Sequence, residues 1–134
     1  MNTPKKTFYE QEVERISREH GLPQHYYAYV RQSKAFMERH YGDKIELDKI
    51  ASAAFMSRFH YIRVFQQVYG LPPRQYLRDL RIARAKELLK KGHSVTSVCF
   101  NVGYESLPTF SKVFKRGTGY SPKAYQDLNI SNRE

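Results

Sequence analysis

The sequence predicts an all-α fold in which one helical unit is written twice, and three observations predict it. The stretches FQQVYGLPPRQY (65–76) and FKRGTGYSPKAY (114–125) share one frame, with Phe65, Gly70, Pro73 and Tyr76 matching Phe114, Gly119, Pro122 and Tyr125 at a constant offset, 114 − 65 = 49. Apolar residues elsewhere recur at the three- and four-residue spacings of helices, and no segment reads convincingly as a strand. Gly and Pro fall where helices should stop and restart.

The chain has 134 residues, 40% of them apolar and 14% aromatic. That suits one domain, or two very small ones sharing a core. The single cysteine excludes an internal disulfide and fits a reducing cytosol, so a cytoplasmic location is expected. No apolar run approaches the ~20 residues of a membrane span. The opening MNTPKKTFYEQEVE has no apolar core of a secretory signal.

The elements follow in order. Residues 8–20 form a short amphipathic helix with Tyr9, Val13 and Ile16 on one face, stopped by GLP at 21–23. A second helix runs from about Tyr26 to Tyr41 and buries Val30, Ser33, Met37 and Tyr41. LDKIASA (47–53) is a short helix with Leu47, Ile50 and Ala51 inward. After a turn, Ser57 caps a helix from Arg58 to Tyr69, which Gly70 closes. Pro73 opens a long helix to about Lys91, with Leu77, Leu80, Ala85 and Leu88 inward, stopped by Gly92. At 1.5 Å per residue it spans roughly 28 Å. The pattern then repeats: a short helix from about Ser94 to Val102, a turn at Gly103, and a helix from about Leu107 to Arg116. Pro108 presses Leu107 away from helical geometry, so this helix is expected to begin at Pro108. Pro122 opens a final helical turn through Tyr125.

Each unit is thus a helix-turn-helix followed by a fixed exit. The two turns differ. GYES in the second carries one residue more than FMS in the first. Gly103 takes a positive φ easily, whereas the equivalent Phe55 does not, so the first turn is expected to bend differently.

Charge is lopsided along the chain. Residues 1–57 hold 9 basic and 8 acidic side chains, a net of +1; residues 58–134 hold 14 and 5, a net of +9. The excess lies with the repeated frame and attracts polyanions. Solubility alone explains an even distribution better than this one, and an anionic membrane surface is a further alternative.

In the first longer helix Tyr61, Phe65 and Val68 make a buried stripe. The opposite stripe is Phe59, Ile62, Arg63 and Gln66. Shifted by 49, these land on Pro108, Ser111, Lys112 and Lys115, opposite Phe110, Phe114 and Gly117. An exposed Arg or Lys is ordinarily just a solvated surface. Phe59 and Ile62 resist that reading, because apolar side chains beside Arg63 gain nothing from water. They either pack against the N-terminal extension or meet thymine methyls in a major groove, where Arg63 reaches guanine O6 and N7.

The motifs LDKIA, SRFHYIRVFQQVYGLPPRQYL, RIARAKELL, VTSVCFNVGYES and TFSKVFKRGTGYSPKAY, in that order, resemble the DNA-binding domain of the AraC/XylS family of bacterial transcription regulators. The resemblance covers about residues 30–127, leaving 1–29 as an N-terminal helical extension and 128–134 as a tail. It implies about seven helices: two helix-turn-helix subdomains (about 47–70 and 94–117) joined by a linker helix (about 73–91). Each second helix would enter a major groove on one face of double-stranded DNA, and RNA polymerase would be a second partner. Carried over position by position, the readers are Arg58, Phe59, Ile62 and Arg63, then Leu107, Pro108, Ser111 and Lys112, to which the outward stripes add Gln66 and Lys115. Lys112 stands where the family often has Arg, Gln126 replaces a frequent Arg, Phe55 a frequent Gly, and Cys99 a frequent Ala. Many family members carry a separate ligand-sensing or dimerising domain. About 29 residues precede the match here, so the expectation is a stand-alone DNA-binding form or a piece of a longer regulator.

Enzyme chemistry finds no support. His20, His25, His40, His60 and His93 include no pair at i, i+4, and one cysteine cannot build a zinc site with a second. Cys99 reads as a small core residue, and GYES and GTG lack the context of a phosphate loop. No cofactor, metal or small-molecule site is expected. The alternatives to sequence-specific DNA reading are a low-specificity architectural binder and a regulator acting through protein contacts.

Overall fold

A computed structural model describes residues 24–131. The helix expected over 8–20 lies outside them. The described residues form seven helices and no strand: α1 (Gln24–His40), α2 (Leu47–Ala53), α3 (Arg58–Tyr69), α4 (Pro73–Lys90), α5 (Val95–Asn101), α6 (Leu107–Thr118) and α7 (Pro122–Ser131). They divide into two compact units, residues 24–37 with 46–74, and residues 38–45 with 75–131.

In the first unit α1 buries Tyr27, Val30, Ser33 and Met37. That stripe starts at Tyr27, so the expected boundary between extension and domain at 29/30 falls inside a helix. Ser33 Oγ lies 2.6 Å from the Tyr61 hydroxyl, which pairs two buried polar groups across α1 and α3. Burial pushes the Tyr61 hydroxyl up to about 12. Val64 is wholly buried beside Tyr61 and Phe65, whereas the expected Val68 and Ile50 are half-buried.

The end of α2 corrects the expectation for the first turn. Phe55 has φ +57°, the same sign as Gly103 at +104°. In the first unit the Met56 N–H donates to Ala51 C=O and the Phe55 N–H to Ser52 C=O; in the second, Tyr104 donates to Cys99 and Gly103 to Phe100. These are the six-to-one and five-to-two bonds of a Schellman ending. The hydrogen bonds that end the helix dictate the backbone, and Phe55 accepts the strain. The extra residue of the second turn is Glu105, placed after this ending and before the cap.

The second unit gathers Ile82, Ala85, Leu88 and Leu89 of α4, Val98 and Cys99 of α5, Val102, and Phe110 and Phe114 of α6 in one buried cluster. Fully burying each of the large side chains contributes about 1.5–3 kcal/mol. Cys99 is a core residue, and burial pushes its thiol up. Tyr41, expected inside, is half-buried after α1 ends; its carbonyl instead accepts from Arg81 Nε at 2.7 Å, while Arg81 Nη2 donates to Asp43 C=O at 3.0 Å. One guanidinium so ties the chain after α1 to α4. Gly42 lies close to α5, where a Cβ would come within 2.7 Å of Asn101 C=O.

The repeated frame is used twice with one difference. Gly70 and Gly119 both close their helices with left-handed backbone, at φ +79° and +85°, donating to Gln66 and Lys115 C=O. Pro73 and Pro122 both start the next helix. Tyr125, however, stacks edge-on against Phe114 at 5.3 Å, whereas Tyr76 donates its hydroxyl to Glu38. Helix α7 runs on to Ser131, past the turn expected to end at Tyr125, so most of the expected tail is helical. Gln126 explains its anchorage: the buried amide donates to Leu89 C=O at 3.0 Å and His93 C=O at 2.7 Å, at the open end of α4.

The two equivalent turns predict opposite responses to substitution. Phe55→Gly should raise stability by about 0.5–1 kcal/mol, the relief of left-handed strain less the added freedom of the unfolded chain. Gly103→Ala should lower it by about 2–3 kcal/mol, because a Cβ there would sit 2.9 Å from Tyr41 C=O and Arg81 Nε. Urea unfolding of both variants measures this; a destabilised Phe55→Gly would contradict it.

Candidate nucleic-acid interface

Helices α3 and α6 begin in the same way. The Ser57 hydroxyl accepts from the His60 N–H at 3.1 Å, and the Ser106 hydroxyl accepts from the Thr109 N–H at 3.4 Å. Ser106 also donates to the Thr109 hydroxyl at 2.9 Å. Neither first turn carries a carboxylate, so the positive end of each helix dipole is not internally neutralised. Leu107, rather than Pro108, is the first residue of α6. Pro108 fits the first turn because its missing N–H has no helical partner there, and the Ser106 cap holds Leu107 in place.

The inward faces are fixed by burial. Tyr61, Val64 and Phe65 fill the first unit, and Phe110 and Phe114 fill the second. Gly117, expected inward, is exposed. What remains outward on α3 is Phe59, 71% exposed, with Arg63 and Gln66 exposed and Ile62 half-buried. On α6, Pro108, Lys112 and Lys115 are exposed and Ser111 is half-buried.

Two of the expected readers have other engagements. Arg58 is exposed, but its Nε lies 3.5 Å from Asp48 Oδ1 and its guanidinium 5.6 Å from the Phe59 ring centre. Leu107 is half-buried and packs against the second core, so it anchors α6 instead of projecting from it. Arg63 and Lys112, by contrast, have no side-chain partner among the described residues.

Sequence reasoning passed over Phe55 as a surface residue. It is 96% exposed, in the turn that leads into α3. The signal was present: an aromatic residue aligned with a glycine of the second unit, at a position whose hydrogen bonds require positive φ.

Among the described residues no group of His, Cys, Asp and Glu could hold a metal ion, and no helix is long and apolar enough to cross a membrane.

The helix-turn-helix domain family profile matches residues 50–127, more than half of the chain. A transcriptional regulator from Chromobacterium violaceum described as having an AraC-type DNA-binding domain superposes on 76% of this chain and 92% of its own, at a TM-score of 0.64 and 25% identity. The chain belongs to the AraC/XylS family. The DNA-binding domain of AdpA, a global transcriptional factor solved in complex with a target DNA, is 28% identical and matches at a TM-score of 0.72 over 78% of this chain and 95% of that one. The MmsAB operon regulatory protein of Pseudomonas aeruginosa is 33% identical over 93 residues, 69% of this chain and 30% of that protein. The transcriptional activator RhaS of Escherichia coli O157:H7 is 32% identical over 90 residues, 66% of this chain and 32% of that protein. The chain therefore spans about a third of the length of these two relatives.

The outward faces predict unequal losses. Arg63→Ala should weaken binding to a selected duplex by about 1–3 kcal/mol and relax preference at one base pair, as expected for a two-pronged guanine contact. Lys112→Ala should weaken binding more evenly across sequences, because an ammonium is a point charge on a flexible stem. Binding isotherms on duplexes altered one base pair at a time check this. An unchanged affinity and preference for Arg63→Ala would mean that the outward face of α3 is misassigned.

Proposed function

We propose that this chain is a sequence-specific double-stranded DNA-binding module of a transcription regulator. In this reading α3 and α6 each enter a major-groove segment, and the two segments follow one another along the duplex. The observation that carries the reading is the pair of equivalent helices. Each follows a short helix ended by the same hydrogen bonds, each is capped by Ser, and each turns an exposed cation-bearing face outward. The net +9 over residues 58–134 supplies the long-range attraction to phosphate. AdpA, solved with its target DNA, and RhaS, named an activator, support the same reading by kinship.

The roles divide by chemistry. Arg63 has the planar fork suited to guanine, and Phe59 and Ile62 are suited to thymine methyls. Lys112 and Lys115 offer charge, and Pro108 and Ser111 before them offer little to read a base, so α6 is less selective than α3. The two half-sites therefore differ, and one chain needs no symmetric partner to fill them. RNA polymerase is the second partner in this proposal, and the cytoplasm is where both are met. Chemistry on a bound substrate has no part in it.

Selection of bound duplexes from a random pool tests the reading, followed by titration of the selected duplex across salt concentrations. One sequence should be enriched. If about six phosphates are neutralised, log K should fall against log salt with a slope near −5. No enrichment, or a slope near zero, would contradict the proposal.

A further inference from the structure

Phe55 violates two preferences at once. It is the only non-glycine with positive φ among the described residues, and its ring is 96% exposed. A bulky side chain in left-handed backbone is strained, and an exposed aromatic ring adds nothing to folding. The turn itself does not require the ring, since Gly103 makes the same hydrogen bonds in the second unit.

The ring has company along the chain. Phe55 comes two residues before the Ser57 cap; Phe59, in the first turn of α3, is 71% exposed, and Ile62 is half-buried. An apolar series therefore begins in the turn and continues along the outward face of α3. Its surroundings in the sequence are cationic. No carboxylate occurs between Asp48 and Asp79, a span that holds Lys49, Arg58, Arg63, Arg74 and Arg78. Asp48 itself is engaged by Arg58. Lys49 and Arg78 pair with Glu46 and Asp79 at the two ends of that span, which leaves Arg63 and Arg74 without a carboxylate partner among the described residues. Exposed apolar rings on the same segment as such cations complement a duplex, which offers phosphates outside and thymine methyl groups within the major groove.

We propose that Phe55 is a specificity-determining residue whose ring extends the apolar series of α3 beyond the helix and onto a thymine methyl group of the bound duplex. This rests on the DNA reading assigned to α3 above. It gives the strained turn of the first unit a role that the glycine turn of the second cannot have.

The test uses Phe55→Gly, because glycine suits the backbone already present and the variant should fold at least as well. In a duplex selected by the unaltered chain, each thymine is replaced in turn by deoxyuridine, which removes only the C5 methyl. The unaltered chain should lose about fourfold in affinity at a thymine beside the α3 half-site, the worth of one buried methyl group. Phe55→Gly should bind the thymine and deoxyuridine duplexes equally at that position, while still responding to the base pair read by Arg63. If Phe55→Gly keeps the full thymine profile and affinity, the proposal is overturned. That is the outcome expected if residues 1–23 or a protein partner cover the ring, and it leaves DNA reading by α3 intact. If no duplex is enriched over random sequence, the reading of α3 fails as well, so the two failures are distinguishable.

Discussion

The structure depends on how a seven-residue helix is brought to an end. Helices α2 and α5 are too short to persist alone, and each is terminated by a bond from the sixth residue back to the first and another from the fifth to the second. That pair of bonds forces positive φ at one residue and directs the chain into the next helix. The serine cap then starts α3 or α6 in a fixed register. Once the register is set, Tyr61, Val64 and Phe65, or Phe110 and Phe114, go inward, and the cation-bearing faces go outward. The turn thus determines which side chains are left for a partner.

The two units solve this constraint with different residues. In the second, glycine takes the positive φ without strain, and the space is closely filled by Arg81 and Tyr41 C=O. In the first, phenylalanine takes it at some cost and remains exposed. The second unit is also held by two polar side chains: half-buried Arg81 satisfies two carbonyls after α1, and buried Gln126 satisfies two at the end of α4. The partners are backbone carbonyls, which fix geometry without requiring a buried ion pair.

Much of this was legible in the sequence, for physical reasons that can be named. The helix boundaries of α3 follow from local signals, Ser57 at one end and Gly70 at the other. The outward stripe of α3 follows from helical periodicity. What could not be read depends on tertiary partners. Tyr41 looked apolar enough for the core, but its backbone was needed by Arg81. Leu107 looked like a reader, yet it packs inward, because Pro108 in the first turn did not displace the helix start. Gln126 stood out only as a replacement for a frequent Arg, and it is buried, its amide donating to two carbonyls at the end of α4. Phe55 was judged by its own preference, whereas the hydrogen bonds around it set its conformation. The roles of the outward residues rest on chemistry and kinship, because exposure alone does not say what touches them.

The central claim is that one chain supplies two reading helices with unlike faces. Its most direct test is the mass of the saturated complex on a selected duplex, measured together with a footprint of that duplex. The account predicts one chain per duplex and two protected segments of different sequence, about one helical turn (~34 Å) apart. A symmetric site protected by two chains, each engaging a single segment, would contradict it.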